Sequence, residues 1–133
     1  MARPIRVFNG SFGRLQLLEA AAGEAPVTGA APQIVVKQNG ADLDFKVDGE
    51  SLRLTRDSLL FFNPGVTSQA VLEPGSGPAQ LLAFQASSDW LCSRFPAVFV
   101  AGGRPFPTSR DAITLRIRQL ADTLAIEVLN DQF

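Results

Sequence analysis

The chain has 133 residues, 46% of them hydrophobic and ten of them Phe, enough for one globular domain with its own core. A net charge of −1 without a basic cluster excludes the phosphate-gripping stripe of a nucleic-acid-binding domain. The lone cysteine, Cys92, excludes an internal disulfide and points to a reducing, cytosolic home.

At the amino end, Met1-Ala2-Arg3-Pro4 lacks the apolar core of a secretion signal, and no run of about 18 apolar residues follows anywhere to span a membrane. Residues 1–32 carry the least regular pattern. Arg14 to Leu18 reads as a strand or one helical turn, and Ala20 to Pro32 reads as loop. From Gln33 onward strand signals are dense: Ile34-Val35-Val36, a turn at Asn39-Gly40, then Leu43, Phe45 and Val47 alternating with Asp44, Lys46 and Asp48. Asp48-Gly49 supplies two residues that tolerate positive φ in a tight hairpin, and Leu52 and Leu54 repeat the alternation on the return strand. Leu59 to Phe62 is continuously apolar, as a strand buried on both faces requires, and Asn63-Pro64-Gly65 ends it. Further strands are expected at Gln69–Leu72 and Gln80–Gln85. Short strands separated by turns predict a sandwich or barrel.

The period then changes. Ser87-Ser88-Asp89 signals the cap of a short helix near residues 88–94, where Cys92 beside Trp90 and Leu91 is expected to pack. Thr108-Ser109 is expected to cap a longer helix from Arg110 to about Leu129. Within it Ile113, Ile117, Leu120 and Leu124 form a narrow apolar seam, suited either to covering the open side of the β-domain or to pairing two copies of the chain. The expected organisation is a β-barrel over residues 1–105 and a candidate dimerisation helix over 106–133.

In these features the chain resembles a cupin, the small jelly-roll barrel, and more narrowly the amino-terminal sensing domain of AraC-type transcription regulators. Gln33, six residues and Gly40 match the end of the first cupin motif. Asp57, five residues, Asn63-Pro64-Gly65, two residues and Ser68 match the spacing of the second. Leu81 to Phe84 followed by Ser88-Asp89-Trp90-Leu91 resembles the last barrel strand and following helix of those sensing domains. Phe106 to Ser109, followed by Ile113 to Leu129, resembles the approach to their dimerisation helices.

The resemblance implies a mainly β, cupin-like jelly roll followed by C-terminal α-helix, a small-molecule effector and a homodimer. It also places DNA binding in a separate carboxy-terminal helix-turn-helix segment that this chain, ending at Asn130-Asp131-Gln132-Phe133, is expected to lack, as a truncated or remnant regulator. The cupin metal site needs three His and a Glu. Gln33 and Ser68 stand at two of those positions, with Val27, Thr28 or Gly29 near the paired histidines, and the chain has no His. No metal, no cofactor and no catalytic residue is therefore expected. The Arg-rich and Ala-rich composition suggests a bacterial source.

The candidate ligand-binding residues are Gln33 and Ser68 as hydrogen-bond partners, with Phe45, Phe62 and Trp90 as apolar walls. The bland alternative is that these side chains fill a closed barrel, with Gln33 and Ser68 bonded to backbone. Two other functions stay open: a stand-alone metal-free cupin enzyme, which would need a buried carboxylate of raised pKa, and a structural assembly domain with a filled barrel.

Overall fold

The structure, a computed structural model, describes residues 3–94, 106 and 108–130. In chain order these form β1 (Arg3–Gly10), β2 (Gly13–Ala20), β3 (Val27–Thr28), β4 (Gln33–Gly40), β5 (Leu43–Val47), β6 (Glu50–Leu54), β7 (Ser58–Phe62), β8 (Thr67–Val71), β9 (Ala79–Ala86), α1 (Ser88–Arg94), β10 (Arg110–Ala112) and α2 (Leu115–Leu129). Two antiparallel sheets result, one of six strands in the order β1-β2-β9-β4-β7-β10 and one in the order β3-β8-β5-β6.

The β5–β6 hairpin follows its alternation directly. Leu43 faces Leu54 and Phe45 faces Leu52 across the ladder. Asp48 (φ 48°) and Gly49 (φ 84°) both occupy the left-handed region, the backbone of a two-residue turn matched to strand twist. Gly40 at the end of β4 is constrained differently. Its φ is 90°, and a Cβ there would stand 2.2 Å from the carbonyl oxygen of Pro78, so no larger residue fits.

Two apolar cores sit on opposite faces of the six-stranded sheet. One lies between the sheets and includes Val35, Phe45, Leu60, Phe62 and Leu81. The other lies between the large sheet and α2, where Leu15, Leu17, Val36, Leu59 and Leu82 meet Ala121, Ala125 and Val128. Strand β7 serves both: Leu60 and Phe62 point between the sheets, and Leu59 points toward α2 with Phe61 packed at its side. That double burial is why residues 59–62 carry no polar alternation.

Three expectations are corrected. Residues 3–20 form the long β1–β2 hairpin, and Val27–Thr28 interrupts the following loop as β3. The hairpin escapes sequence reading because β1 is a mostly exposed edge strand with a register shift between Pro4 and Arg6, while β2 is buried on both faces. The terminal helix begins at Leu115 with Thr114 as its cap, the Thr114 side chain accepting from the Ile117 N–H at 3.2 Å. Arg110–Ala112 instead pairs with β7, since that strand's free edge needs backbone partners. Cys92, expected to pack, is exposed on α1. The expected boundary at residues 105–106 and the terminal residues 131–133 lie at or beyond the edges of the described segments.

The apolar seam of α2 is split. Ile113 lies before the Thr114 cap, off the helix, and packs with Leu124 partly against the second core, whereas Ile117 and Leu120 are 41% and 57% exposed. The burial is carried by Ala121, Ala125 and Val128, small residues that let the helix approach the sheet closely. A polar cluster fixes the helix along its length. Arg118 donates to the Lys37 carbonyl at 2.8 Å, to the Gln38 side-chain oxygen and to Asp122 at 3.0 Å, and Gln38 donates to Asp122 at 3.1 Å. Arg56 joins Asp122 from the β6–β7 turn at 3.3 Å. Burial pushes the Asp122 carboxyl up, but the Arg118 charge, the Gln38 hydrogen bond and the Arg56 charge outweigh it and hold the group below its ordinary value. No helix among the described residues is long and apolar enough to cross a membrane.

Candidate functional site

Between the sheets, the barrel interior is apolar at one end and hollow at the other. The hollow is a cavity of about 330 Å³, and Gln33, Phe45, Phe62 and Ser68 all line it. Four of the five candidate ligand-binding residues are thus brought to one place. Gln33 comes from β4 and Phe62 from β7, directly opposite it in the ladder. Phe45 arrives from β5 in the facing sheet, its ring centroid 5.6 Å from that of Phe62 and tilted by 56°. Ser68, on β8, lies between Val47 of β5 and Val27 of β3.

Trp90 is not among the lining residues. The chain leaves β9 at Ala86, and the Ser87 N–H bonds to the Phe12 carbonyl at 2.7 Å, which starts α1 beside the β1–β2 turn. Trp90 sits there half-buried, with the Arg94 guanidinium 5.3 Å from its ring centre.

Sequence reading missed Arg14, Gln16 and Gln85, which also line the cavity. They share the inner face of the large sheet with Gln33: Gln85 pairs with Arg14 on one side and with Gln33 on the other. Gln16 lies two residues along β2 from Arg14, opposite Ala83 of β9 and so one row deeper. Gln16 and Gln85 each stand between apolar neighbours, in Leu15-Gln16-Leu17 and Phe84-Gln85-Ala86. A polar residue at an inward position is the signal that could have found them.

The side chains of Gln16, Gln33, Gln85 and Ser68 make no hydrogen bond to another described residue. Gln33 and Ser68 are therefore not absorbed by backbone, and the barrel is not filled at this end. Around the rim, Glu24 accepts from the Ala21 N–H at 3.1 Å, its carbonyl accepts from Gln69 at 2.9 Å, and the Thr28 and Thr67 hydroxyls share a 2.7 Å bond that ties β3 to β8. Val27, at one of the positions near the paired histidines of the cupin motif, lines the cavity as well.

This donor set does not fit a transition metal. Neutral amides and a hydroxyl are weak ligands for iron, manganese or zinc, the chain has no His, and among the described residues no three of Cys, Asp and Glu gather. The carboxylates on β5 and beside it are engaged elsewhere: Asp42 pairs with the buried Lys37, and Asp44 with Arg53 at 3.3 Å. What the cavity offers is a set of uncommitted hydrogen-bonding groups with Phe62 beside them and Phe45 across from them, an arrangement suited to holding a small molecule.

No protein-family model matches the chain, and no curated protein matches it. Among solved structures it is similar to a cupin domain from Bordetella pertussis, at a TM-score of 0.53 and 15% identity over 65% of this chain and 94% of that one. It is equally similar to the cupin domain of Schizosaccharomyces pombe Cnp3, at a TM-score of 0.53 and 16% identity over 71% of this chain and 73% of the other. The Clostridium difficile EutQ protein matches at a TM-score of 0.48 and 18% identity over 62% of this chain and 57% of that one, so the chain spans little more than half of its length. The fold is a cupin jelly roll with a helix laid on its larger sheet.

Proposed function

We propose that this chain is the effector-sensing and dimerising domain of an AraC-type transcription regulator, a cytosolic module that binds a small molecule without metal and without catalysis. The observation that carries the reading is the cavity at the barrel mouth, where Gln33 and Ser68 stand in place of metal ligands with their hydrogen-bonding groups uncommitted. In this reading DNA is gripped by a separate helix-turn-helix unit, and α2 pairs two subunits through the exposed part of its seam at Ile117 and Leu120.

Such a domain acts only if its ligand binds the two states of the regulator unequally; a shift from 1:99 to 99:1 needs about 5.5 kcal/mol of difference. Strand β4 supports a link between cavity and helix. It carries Gln33 into the cavity at one end and Gln38 onto Asp122 of α2 at the other.

The test is calorimetric titration and thermal shift against a metabolite panel, with Ser68→Phe as the variant that blocks the cavity. A binder is expected to stabilise the wild type by about 3 kcal/mol at a hundredfold excess over Kd and to leave Ser68→Phe unmoved. A panel without binders, or one whose binders stabilise both proteins equally, overturns the proposal.

A further inference from the structure

The wall of the cavity narrows the chemistry of what it holds. Arg14, Gln85 and Gln33 stand side by side on β2, β9 and β4, with Gln16 one row below. Neighbouring strands lie about 4.8 Å apart, so the row spans about 10 Å, the length of a small organic molecule. Gln16 is only 8% exposed, and its amide bonds to no described residue. Among the described residues the one buried side-chain polar atom left without a partner is the Arg118 Nε, so the three glutamine amides are not sealed off but open onto one shared space. Each amide presents a donor and an acceptor together, which hydroxyl, carbonyl and amide groups complement.

Charge singles out one end of the row. Arg14 is the one cationic side chain among the described residues lining the cavity. Its Nε donates to Asn9 Oδ1 at 3.1 Å, a neutral acceptor, and its two terminal nitrogens bond to no described residue. The one carboxylate on the lining, Glu24, is already engaged with the Ala21 N–H. Phe62 continues the row beyond Gln33 on the same sheet, and from the facing sheet come Phe45 and Ala70; none of the three offers anything to a polar group.

We infer that the cavity takes a small carboxylic acid bearing hydroxyl or amide groups. Its carboxylate meets the planar Arg14 guanidinium at the rim, its polar groups run along Gln85 and Gln33 above Gln16, its far end meets Phe62 at the end of that row, and its carbon face turns to Phe45 on the opposite sheet. This inference rests on the small-molecule reading above and adds the class of ligand to it.

The experiment titrates lactate, mandelate, N-acetylglycine and N-acetylalanine against the full chain, each beside the neutral compound in which a carboxamide replaces the carboxylate. Wild type, Arg14→Gln and Ser68→Phe are compared by calorimetry. At least one acid is expected to bind wild type about tenfold or more tightly than its carboxamide. Arg14→Gln is expected to bring the two within about twofold of each other with the carboxamide unchanged, and Ser68→Phe to abolish both. Carboxamides binding wild type as well as the acids, or Arg14→Gln keeping the preference for acid, overturns the inference and leaves the sensing domain standing. No binding by any of the eight compounds overturns it too, and a binder from the wider metabolite panel that Ser68→Phe blocks would then still support the domain reading.

Discussion

Gln16 sits between Leu15 and Leu17, whose side chains belong to the core under α2, while its own amide is turned the other way into the cavity. A leucine there would exchange an unbonded amide for apolar contact with Leu18, Val35 and Leu81 around the same space. Gln16→Leu is therefore expected to stabilise the unliganded protein by about 1 kcal/mol, a rise of a few degrees in Tm, while reducing the thermal shift produced by any ligand. Differential scanning calorimetry with and without ligand reads both effects, and a variant that loses stability would show that the amide is bonded in the folded protein. Gln33 and Ser68 were legible in the sequence because the spacing to Gly40 and Gly65 fixed their place in two known motifs. Gln16, Gln85 and Arg14 had no motif around them. Their convergence depends on the pairing of β2, β9 and β4, strands that lie far apart along the chain.

At the scale of elements, the helix over the large sheet shows where local pattern and tertiary demand part. Its apolar spacing was visible, but its start was not, because Arg110–Ala112 has a poor strand pattern and extends the sheet only for the sake of the exposed edge of β7. The seam likewise looked uniform, but Ile113 falls ahead of the helix, and only packing decides that Leu124 turns inward while Leu120 remains outside. Leu120→Glu is expected to keep the folding stability within about 1 kcal/mol of wild type, since an exposed position tolerates charge, and to convert a dimer into a monomer in sedimentation velocity. A wild type that is already monomeric at high concentration removes the pairing role. The Arg118–Asp122–Gln38–Arg56 cluster makes a separate prediction. Because folding lowers the Asp122 pKa, its contribution is complete above the pKa of the unfolded chain and is lost as pH falls through the folded value. Asp122→Asn should be less stable than wild type at neutral pH by about 1 kcal/mol or less, the side chain being 43% exposed and screened by solvent. That gap should close in urea titrations as the pH is taken below the carboxylate range.

Over the whole molecule, the rolled sheets were readable from alternation and turns between residues 33 and 86, where one face of each hairpin strand is wet and the pattern survives. The β1–β2 hairpin was not readable, since an exposed edge and a doubly buried neighbour each erase the contrast that alternation depends on. Trp90 was misplaced for a related reason: sequence reading put the short helix at the right residues, but its position follows from the Ser87 bond to Phe12, in a turn that the sequence left unread. The displacement of that ring has an optical corollary. The chain holds one Trp and no Tyr, so its near-ultraviolet emission comes mainly from an indole on the short helix, with the Arg94 guanidinium over it. The indole does not line the chamber, but its helix leaves the strand just beyond Gln85 and next to the turn that leads into Arg14, so a fluorescence change during a titration would report movement of that helix rather than contact between the ring and the molecule bound.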